Sequence, residues 1–290
     1  MKRLAACIVL SLAIVLSAAC GRTSSVANPE DKNVIGVVEV RGGEMLERDI
    51  IPQLCKVYSL PEQEVKDTLA AAPSSALIGI GLTGFRKMEG MIPPGQYEII
   101  EGSTLEETVA GWVQASEQRY SRLLATAASP NGLSESERLS LASMVEAECL
   151  AGEHQEETAT VFLNRLKDGS KLQSCVTAEY ALGYQRPYLT SEDIAVKSEY
   201  NTYYVPGLPA GPICAVSDAS LKAAMGTGNG TDIYFFYYDY VLDDMFFFED
   251  YAQFQKDGKV SGQRFDENSK IGRRDKINKQ TMNLLNPSGT

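Results

Sequence analysis

The apolar positions in the first half of the chain follow two periods. They alternate in "VIGVVEV", Val34–Val40, and in Gln96–Ile100, which predicts two strands. Helical spacing elsewhere predicts three helices: Met45–Val57, a segment capped by Ser59, and a long segment from about Leu105 capped by Ser103. Together these elements predict a small α+β unit over residues 34–127.

A break at "SPNGLSESE" separates this unit from a second predicted α+β domain, residues 131–255. There Ser134 caps a helix and Glu137 completes its capping box, and further helices are predicted over Gln155–Lys167 and in "SDASLKAAMG". "DIYFFYYDY" and "MFFFEDY" predict a hairpin whose aromatic rings either belong to the core or offer a stacking surface for sugars. We predict loops for "KLQSCVTAEYALG" and "YNTYYVPGLPAGPIC", and a disordered or loosely attached polar tail over residues 256–290.

The helix that contains "LASMVEAE" places a glutamate on an apolar face. With about 100° between successive residues, Leu141, Met144 and Val145 fall within about 60° of Glu148. Burial raises the pKa of a carboxyl, and a carboxylic acid that is protonated near neutral pH can protonate a leaving group. Glu148 is therefore a candidate general acid. The same spacing also fits a Glu148 that pairs with Arg165 or a backbone group, or that is exposed.

The N-terminus has the pattern of an export signal. A basic start, "MKR", precedes an apolar run, Leu4–Cys20, that ends in small residues. Its end, "LSAACG", resembles a bacterial lipobox. We therefore expect residues 1–19 to be removed and Cys20 to be lipidated, which would anchor the protein to the outer face of the cell membrane. An ordinary cleaved signal and a short anchor are the alternatives. Residues 20–33 are predicted to form a polar linker.

Composition and charge exclude several classes of function. The 290-residue chain has a formal net charge of −11, which argues against nucleic acid as a partner. The cysteines lack zinc-site spacing, the single histidine, His154, is expected to be a solvated side chain, and no Walker A, H-E-x-x-H or G-x-S-x-G motif occurs. We therefore expect no metal and no cofactor. The chain is instead supplied with carboxylates, aromatics and Tyr-, Asn- and Thr-rich loops, the parts of a carbohydrate site.

Five segments follow one another in the order "LASMVEAE", "VFLNRLKDGSKLQS", "YNTY", "GLPAGPI" and "SLKAA". In this order they resemble the YceG-like (MltG-like) family of endolytic murein transglycosylases, and "MEGMIPPGQY" is similar to the segment that closes the family's LysM-like subdomain. The similarity covers about Val34–Phe254. It implies a membrane-anchored α+β enzyme of the bacterial cell envelope, in which a LysM-like subdomain precedes a catalytic domain with a buried helix carrying the catalytic glutamate.

The family resemblance also implies a reaction and partners. Such enzymes cut the β-1,4 bond between MurNAc and GlcNAc inside peptidoglycan glycan strands and leave 1,6-anhydro-MurNAc ends. Glycan strands are therefore the implied substrate, and cell-wall synthases are implied neighbours. Glu148 matches the family's catalytic glutamate, the second of an E-x-E pair, which acts first as general acid and then as base. Glu146 matches the other member and is expected to have a supporting hydrogen-bond role.

The remaining matches are positions of the family's cleft, which the resemblance assigns to substrate binding: Asn164, Arg165, Gln173, Ser174, Tyr200, Asn201, Thr202 and Tyr203. Asn164 and Arg165 have an alternative role, in connecting loops to their helix.

Some loop residues depart from the family pattern. Cys175 and Val176 stand where the family has Asp-Pro, Cys149 where it has threonine, and "CAVS" from Cys214 where it has "ATPG". A histidine common in the family's last hairpin is absent. Because three cysteines replace family residues near one place, we hypothesise a disulfide between Cys175 and Cys214, with Cys149 close by.

Two functions therefore compete. The leading hypothesis is an exported lytic transglycosylase that acts on peptidoglycan through Glu148. The alternative is a catalytically degenerate relative that binds peptidoglycan or a wall-synthesis complex without cutting. The altered loops favour the second hypothesis, whereas the intact E-x-E pair and "YNTY" favour the first. The retained cleft motifs disfavour a purely structural lipoprotein.

Overall fold

The computed structural model describes residues 33–79, 81–125, 129–149, 152–185, 188–226, 228 and 230–268. The predicted signal peptide and the lipidation candidate Cys20 lie outside these residues. Within the described ranges, no helix combines the length and the apolar composition needed to cross a bilayer.

The first region is a two-stranded sheet packed with helices. β1 (Val34–Val40) pairs antiparallel with β2 (Gly95–Ile100), and the alternation of β1 buries Val38 and Val40. Three helices accompany the strands: α1 (Ile51–Tyr58), entered through a π-helical turn, α2 (Glu62–Ala71) and α3 (Leu105–Leu124).

Two predicted helix caps are wrong by a few residues. Ser59 does not begin α2 but ends α1, with a left-handed φ of 54°. α2 begins after Pro61, whose fixed φ suits a helix entry. α3 is capped by Thr104 rather than Ser103, with Glu107 completing the capping box.

The second region contains the helices and the hairpin that form the site. Its main helices are α4 (Glu135–Glu148), α5 (Gln155–Lys167), α6 (Cys175–Leu182), the short α7 (Ser191–Ile194) and α8 (Asp218–Met225). The sequence did not predict α6 or α7. α6 lies within "KLQSCVTAEYALG", for which we predicted a loop. β3 (Phe235–Asp239) and β4 (Asp244–Phe248) form the predicted antiparallel hairpin, with Phe235 opposite Phe248.

The polar tail predicted over residues 256–290 begins as a helix. α9 (Tyr251–Asn268) packs on the hairpin, with the Phe254 ring stacked 5.4 Å from Phe235. The expectation of a disordered or loosely attached tail is therefore wrong for residues 256–268, and most of the remaining tail lies outside the described residues.

Buried side chains from both predicted domains belong to one hydrophobic cluster. The backbones also meet: Gly43 N donates to Ala215 O at 2.9 Å and Ala215 N donates to Glu44 O at 2.8 Å. These bonds fix the loop after β1 against the segment that leads into α8. The α+β fold class is confirmed, whereas the division into residues 34–127 and 131–255 stays a prediction.

Candidate active site

Helix α4 carries Glu148 to a groove. A capping box of Ser134 and Glu137 fixes the start of the helix. Every residue from Arg138 to Val145 is buried, so that stretch of the helix has no free face. Glu148 is the last helical residue and is only partly buried. Its carboxyl therefore leaves the core at the helix end, where it lines a groove of about 620 Å³.

The surroundings of Glu148 favour its protonated form. Burial raises its pKa to about 7, although a hydrogen bond from Ser174 and the charge of Arg165 oppose that shift. The Ser174 hydroxyl donates to Glu148 Oε1 at 2.7 Å. A carboxyl with this pKa is protonated in a large fraction of molecules at neutral pH. Its conjugate base is also strong enough to take a proton back, so the group can act as acid and as base.

Ser174 is held in place by the "YNTY" segment. Its backbone N–H donates to Thr202 Oγ1 at 3.0 Å, and Thr202 Oγ1 lies 2.9 Å from Thr177 Oγ1 on α6. Asn201 fixes the segment by donating two hydrogen bonds, 3.0 and 2.8 Å long, to backbone oxygens of the preceding loop. Ser174, Asn201 and Thr202 are all buried, so this network acts by orienting Glu148.

The two tyrosines of "YNTY" lie in different places. Tyr203 lines the groove, and its hydroxyl is 3.2 Å from Cys175 Sγ. Burial raises the pKa of both groups, that of Cys175 to about 12, so both are neutral at physiological pH. Tyr200 is buried, with its ring centroid 4.8 Å from that of Tyr180. Of the two, Tyr203 is placed to contact a ligand.

Asn164 and Arg165 on α5 connect segments around the groove. Asn164 donates to two backbone oxygens at the entry to β3, at 3.0 and 2.9 Å. Arg165 Nε donates to Tyr234 O at 2.7 Å, and its Nη1 donates to Leu172 O at 2.6 Å. Arg165 and Gln173 also line the groove. Asn164 therefore has the connecting role alone, while Arg165 has this role and also lines the groove.

The structure separates the two glutamates of the E-x-E pair, because residues two apart on a helix point to nearly opposite sides. Glu146 Oε2 accepts hydrogen bonds from Ser217 N at 3.0 Å and Ser217 Oγ at 2.5 Å. Its other oxygen lies so close to Gly42 that a β-carbon there would overlap it. Glu146 therefore supports the start of α8, while Glu148 lines the groove.

The predicted disulfide between Cys175 and Cys214 is wrong, because the four cysteines of the described residues are free. Cys214 is buried with its Sγ 3.3 Å from Ser143 O, whereas Cys175 lines the groove with its Sγ beside the Tyr203 hydroxyl. Cys149 is close to the groove but donates to Thr158 Oγ1 at 3.2 Å. The three cysteines therefore lie in separate packing environments.

Among the groove residues that the sequence did not predict are His154 and Glu179. His154, expected to be solvated, lines the groove with its Nε2 3.0 Å from Asp244 Oδ1 and its ring 5.6 Å from that of Phe247. Glu179 on α6 is a further carboxyl of the groove and is only 6% exposed. Neither was marked by a sequence motif.

The aromatic hairpin contributes to the core and to the groove, and its role as a stacking surface for sugars stays a prediction. Phe236, Tyr238 and Phe247 pack against the hydrophobic core, and Phe236 meets Phe162 edge-on at 5.8 Å. The aromatic and apolar hairpin residues that line the groove are Phe235, Phe236, Tyr237, Tyr238 and Met245, with Tyr240 in the turn.

These features define the class of protein: an α+β protein whose aromatic groove contains a protonatable carboxyl at the end of a buried helix. The chain belongs to the YceG-like family, whose model matches residues 25–259.

Relatives of known name match about half of the chain. The endolytic murein transglycosylase of Streptococcus pneumoniae serotype 2 is 31% identical over 154 residues, 51% of this chain and 28% of that protein. The Bacillus subtilis protein of the same name is 30% identical over 149 residues, 51% of this chain and 41% of that protein. The chain thus matches well under half of the length of either relative.

A crystal structure of a YceG-like protein from Listeria monocytogenes is similar to this fold. The TM-score is 0.64 at 24% identity, and the match covers 76% of this chain and 75% of that one. The similarity supports the α+β fold, and the LysM-like character of the first region stays an expectation.

Proposed function

We propose that the protein is an endolytic lytic transglycosylase of peptidoglycan. It cleaves the β-1,4 bond between MurNAc and GlcNAc and leaves 1,6-anhydro-MurNAc ends. The observation that carries the proposal is the Glu148 carboxyl, poised with a pKa of about 7 in an aromatic groove. Membership of the YceG-like family and the names of the streptococcal and Bacillus relatives support the choice of substrate.

Glu148 supplies both proton transfers. Ser174 occupies Oε1, which leaves Oε2 to carry the acid proton. Oε2–H first protonates the bridging glycosidic oxygen, the C1–O bond of MurNAc breaks, and positive charge develops at C1. The ionised Glu148 then accepts the proton of the C6 hydroxyl as its oxygen closes on C1. The proton returns to Glu148, and no water molecule is consumed.

One carboxyl is sufficient for this reaction. A glycoside hydrolase needs a second carboxylate to activate water or to form a covalent intermediate, whereas here the C6 hydroxyl of the substrate is the nucleophile. Ser174 and Arg165, which both lower the pKa of Glu148, stabilise the carboxylate that forms after the first transfer.

The proposed location is the outer face of the cell membrane, with Cys20 as the lipid anchor and cell-wall synthases as neighbours. The lipobox-like "LSAACG" and the cell-wall relatives support this location. Fatty-acid labelling of the protein should disappear in Cys20→Ala, and labelling that persists would contradict the anchor.

Digestion of purified sacculi tests the proposed activity. We expect products that end in 1,6-anhydro-MurNAc, identified by mass spectrometry. Cleavage inside strands should release long glycan fragments before disaccharides. Reducing MurNAc ends would show hydrolysis and contradict the proposal. Binding without any product would support the degenerate scaffold, which the departures at Cys175 and Val176 beside the catalytic helix end favour.

Removing the Ser174 hydroxyl should move the pH dependence of cleavage. The hydrogen bond stabilises ionised Glu148, so Ser174→Ala should raise the pKa of Glu148 above about 7. Because the first step needs the protonated acid, the alkaline limb of the kcat/KM profile should shift to higher pH. Ser170→Ala, at an exposed serine of the same loop, is the control and should leave the limb in place. A shift to lower pH in Ser174→Ala would contradict the assignment.

A further inference from the structure

The second half of α9 lies beyond the residues that the family model matches, which end at residue 259. It is connected to the hairpin through a buried carboxylate. Arg264 Nη1 donates to Asp239 Oδ2, and the Ser261 hydroxyl also bonds to Asp239, whose exposure is 0%. Asp239 in turn accepts the backbone N–H groups of Val241 and Leu242 at 2.9 Å each. The end of α9 therefore fixes the turn of the hairpin.

This connection places Phe265 against two tyrosines of the groove. The Phe265 ring centroid lies 5.0 Å from that of Tyr188 and 5.8 Å from that of Tyr240. The two tyrosine rings lie 5.8 Å apart, and all three contacts are edge-to-face. Tyr188 and Tyr240 line the groove, and Tyr188 is 47% exposed. Tyr188 and Tyr240 line the same groove as Glu148 and Glu179, and burial together with these two carboxyls raises the pKa of Tyr240.

An exposed ring held by two others suits stacking on a sugar. One face of a pyranose presents C–H groups, which pack on an aromatic face, and a ring that is already oriented loses little freedom on binding. Glu179 and Gln185 also line this groove and can hydrogen-bond sugar hydroxyl and acetamide groups.

We propose that Tyr188, Tyr240 and Phe265 form a saccharide subsite of the groove, in which the ring of Tyr188 stacks on a sugar of the glycan strand. Tyr188 contacts the sugar, and Phe265 is a positioning residue that fixes the orientation of Tyr188. The choice of ligand rests on the proposed function. The end of α9, outside the family match, thereby becomes a determinant of glycan affinity.

Glycan binding without turnover tests the subsite. The probe is uncross-linked glycan free of stem peptides, titrated into the Glu148→Gln protein by calorimetry. Tyr188→Ala in that background should weaken binding about tenfold, because stacking and apolar contact are lost. Tyr188→Phe keeps the ring and should bind within about twofold of the parent. Tyr204→Ala is the control, since Tyr204 is 50% exposed outside the groove lining.

A double-mutant cycle tests the positioning role of Phe265. Phe265→Ala should weaken glycan binding about threefold on its own and have no further effect when added to Tyr188→Ala. Phe265→Tyr, which keeps the ring, should restore parental affinity. Additive effects of Phe265→Ala and Tyr188→Ala would overturn the positioning role.

The subsite and the proposed function fail in different ways. Glycan affinity that is unchanged in Tyr188→Ala, or absent in the parent, overturns the subsite whatever the wild-type protein does to sacculi. Tyr188-dependent binding together with no anhydro product from the wild-type protein upholds the subsite and overturns the lytic activity.

Discussion

Replacing Glu148 by glutamine is expected to lower kcat/KM for glycan cleavage by about 10³-fold or more. The amide keeps the size of the side chain and can still accept the hydrogen bond from Ser174, which joins Oε1 at 2.7 Å. It cannot donate a proton to the glycosidic oxygen or accept one from the C6 hydroxyl. Both proposed steps are therefore blocked in a protein that remains folded. Release of anhydro-muropeptides from sacculi, followed by mass spectrometry, measures the effect.

Substitutions of two other glutamates serve as controls for the effect of Glu148→Gln. Glu64→Gln, on the exposed side of α2, should cleave at the wild-type rate. Glu146→Gln alters the partner of Ser217 at the start of α8, so it should cost about 1 kcal/mol of unfolding free energy, with a much smaller effect on cleavage per folded molecule. More than a tenth of wild-type activity in Glu148→Gln, or equal losses in Glu146→Gln and Glu148→Gln, would contradict a single catalytic carboxyl.

The helix that carries the candidate acid could be predicted because its signals are local. Ser134 and Glu137 form the capping box that the spacing indicated, and Leu141, Met144 and Val145 are buried as their periodicity requires. The spacing alone did not decide between a buried acid and a paired one. That choice depends on Ser174, 26 residues further along the chain, and on packing that no local pattern encodes.

Helix α6 was missed because its sequence lacks a polar face. Residues from Val176 to Tyr180 are all buried, so tertiary packing rather than periodicity maintains the helix. A stop signal was nevertheless present in Gly183, which ends α6 with a left-handed φ of 75°. Glu179, inside this helix, was missed for the same reason.

Helix α9 was missed because small residues interrupt its apolar stripe. Tyr251, Phe254, Gly258, Ser261 and Phe265 follow helical spacing on one face. Gly258 lies under Tyr237, where a β-carbon would come within 3.7 Å of the ring, and Ser261 is 5% exposed. Gly258 and Ser261 therefore belong to the packed face but add little to its hydropathy, so the sequence of this segment resembled a polar tail.

The buried carboxyl of Glu89 should contribute to how the free energy of unfolding changes with pH. Glu89 is 2% exposed, with Oε1 accepting from Leu46 N and Oε2 from the Tyr180 hydroxyl, both at 2.9 Å. It connects the turn before α1 to α6, whose N-cap is Ser174. Burial raises the pKa of Glu89 from 4.5 to about 7, although both hydrogen bonds lower it.

The sign of the effect follows from proton linkage. Between pH 4.5 and about 7 the folded protein keeps a proton on Glu89 that the unfolded chain has released. The free energy of unfolding therefore falls as the pH rises through this window, and Glu89 should account for about 3 kcal/mol of the loss. Below the window this contribution is fully present, and above it the contribution is gone.

Glu89→Gln should remove this part of the pH dependence, because the amide stays neutral at every pH. Urea unfolding of the variant and of the wild-type protein from pH 4 to pH 9 measures the difference, in which the contribution of Glu148 cancels. The variant should gain up to about 3 kcal/mol relative to wild type between the two ends of the range. Tyr180→Phe removes a donor that lowers the pKa of Glu89. In this variant, the fall in the free energy of unfolding with rising pH should therefore extend to higher pH. A difference between Glu89→Gln and wild type that does not change with pH would show that Glu89 ionises as freely in the folded protein as in the unfolded chain.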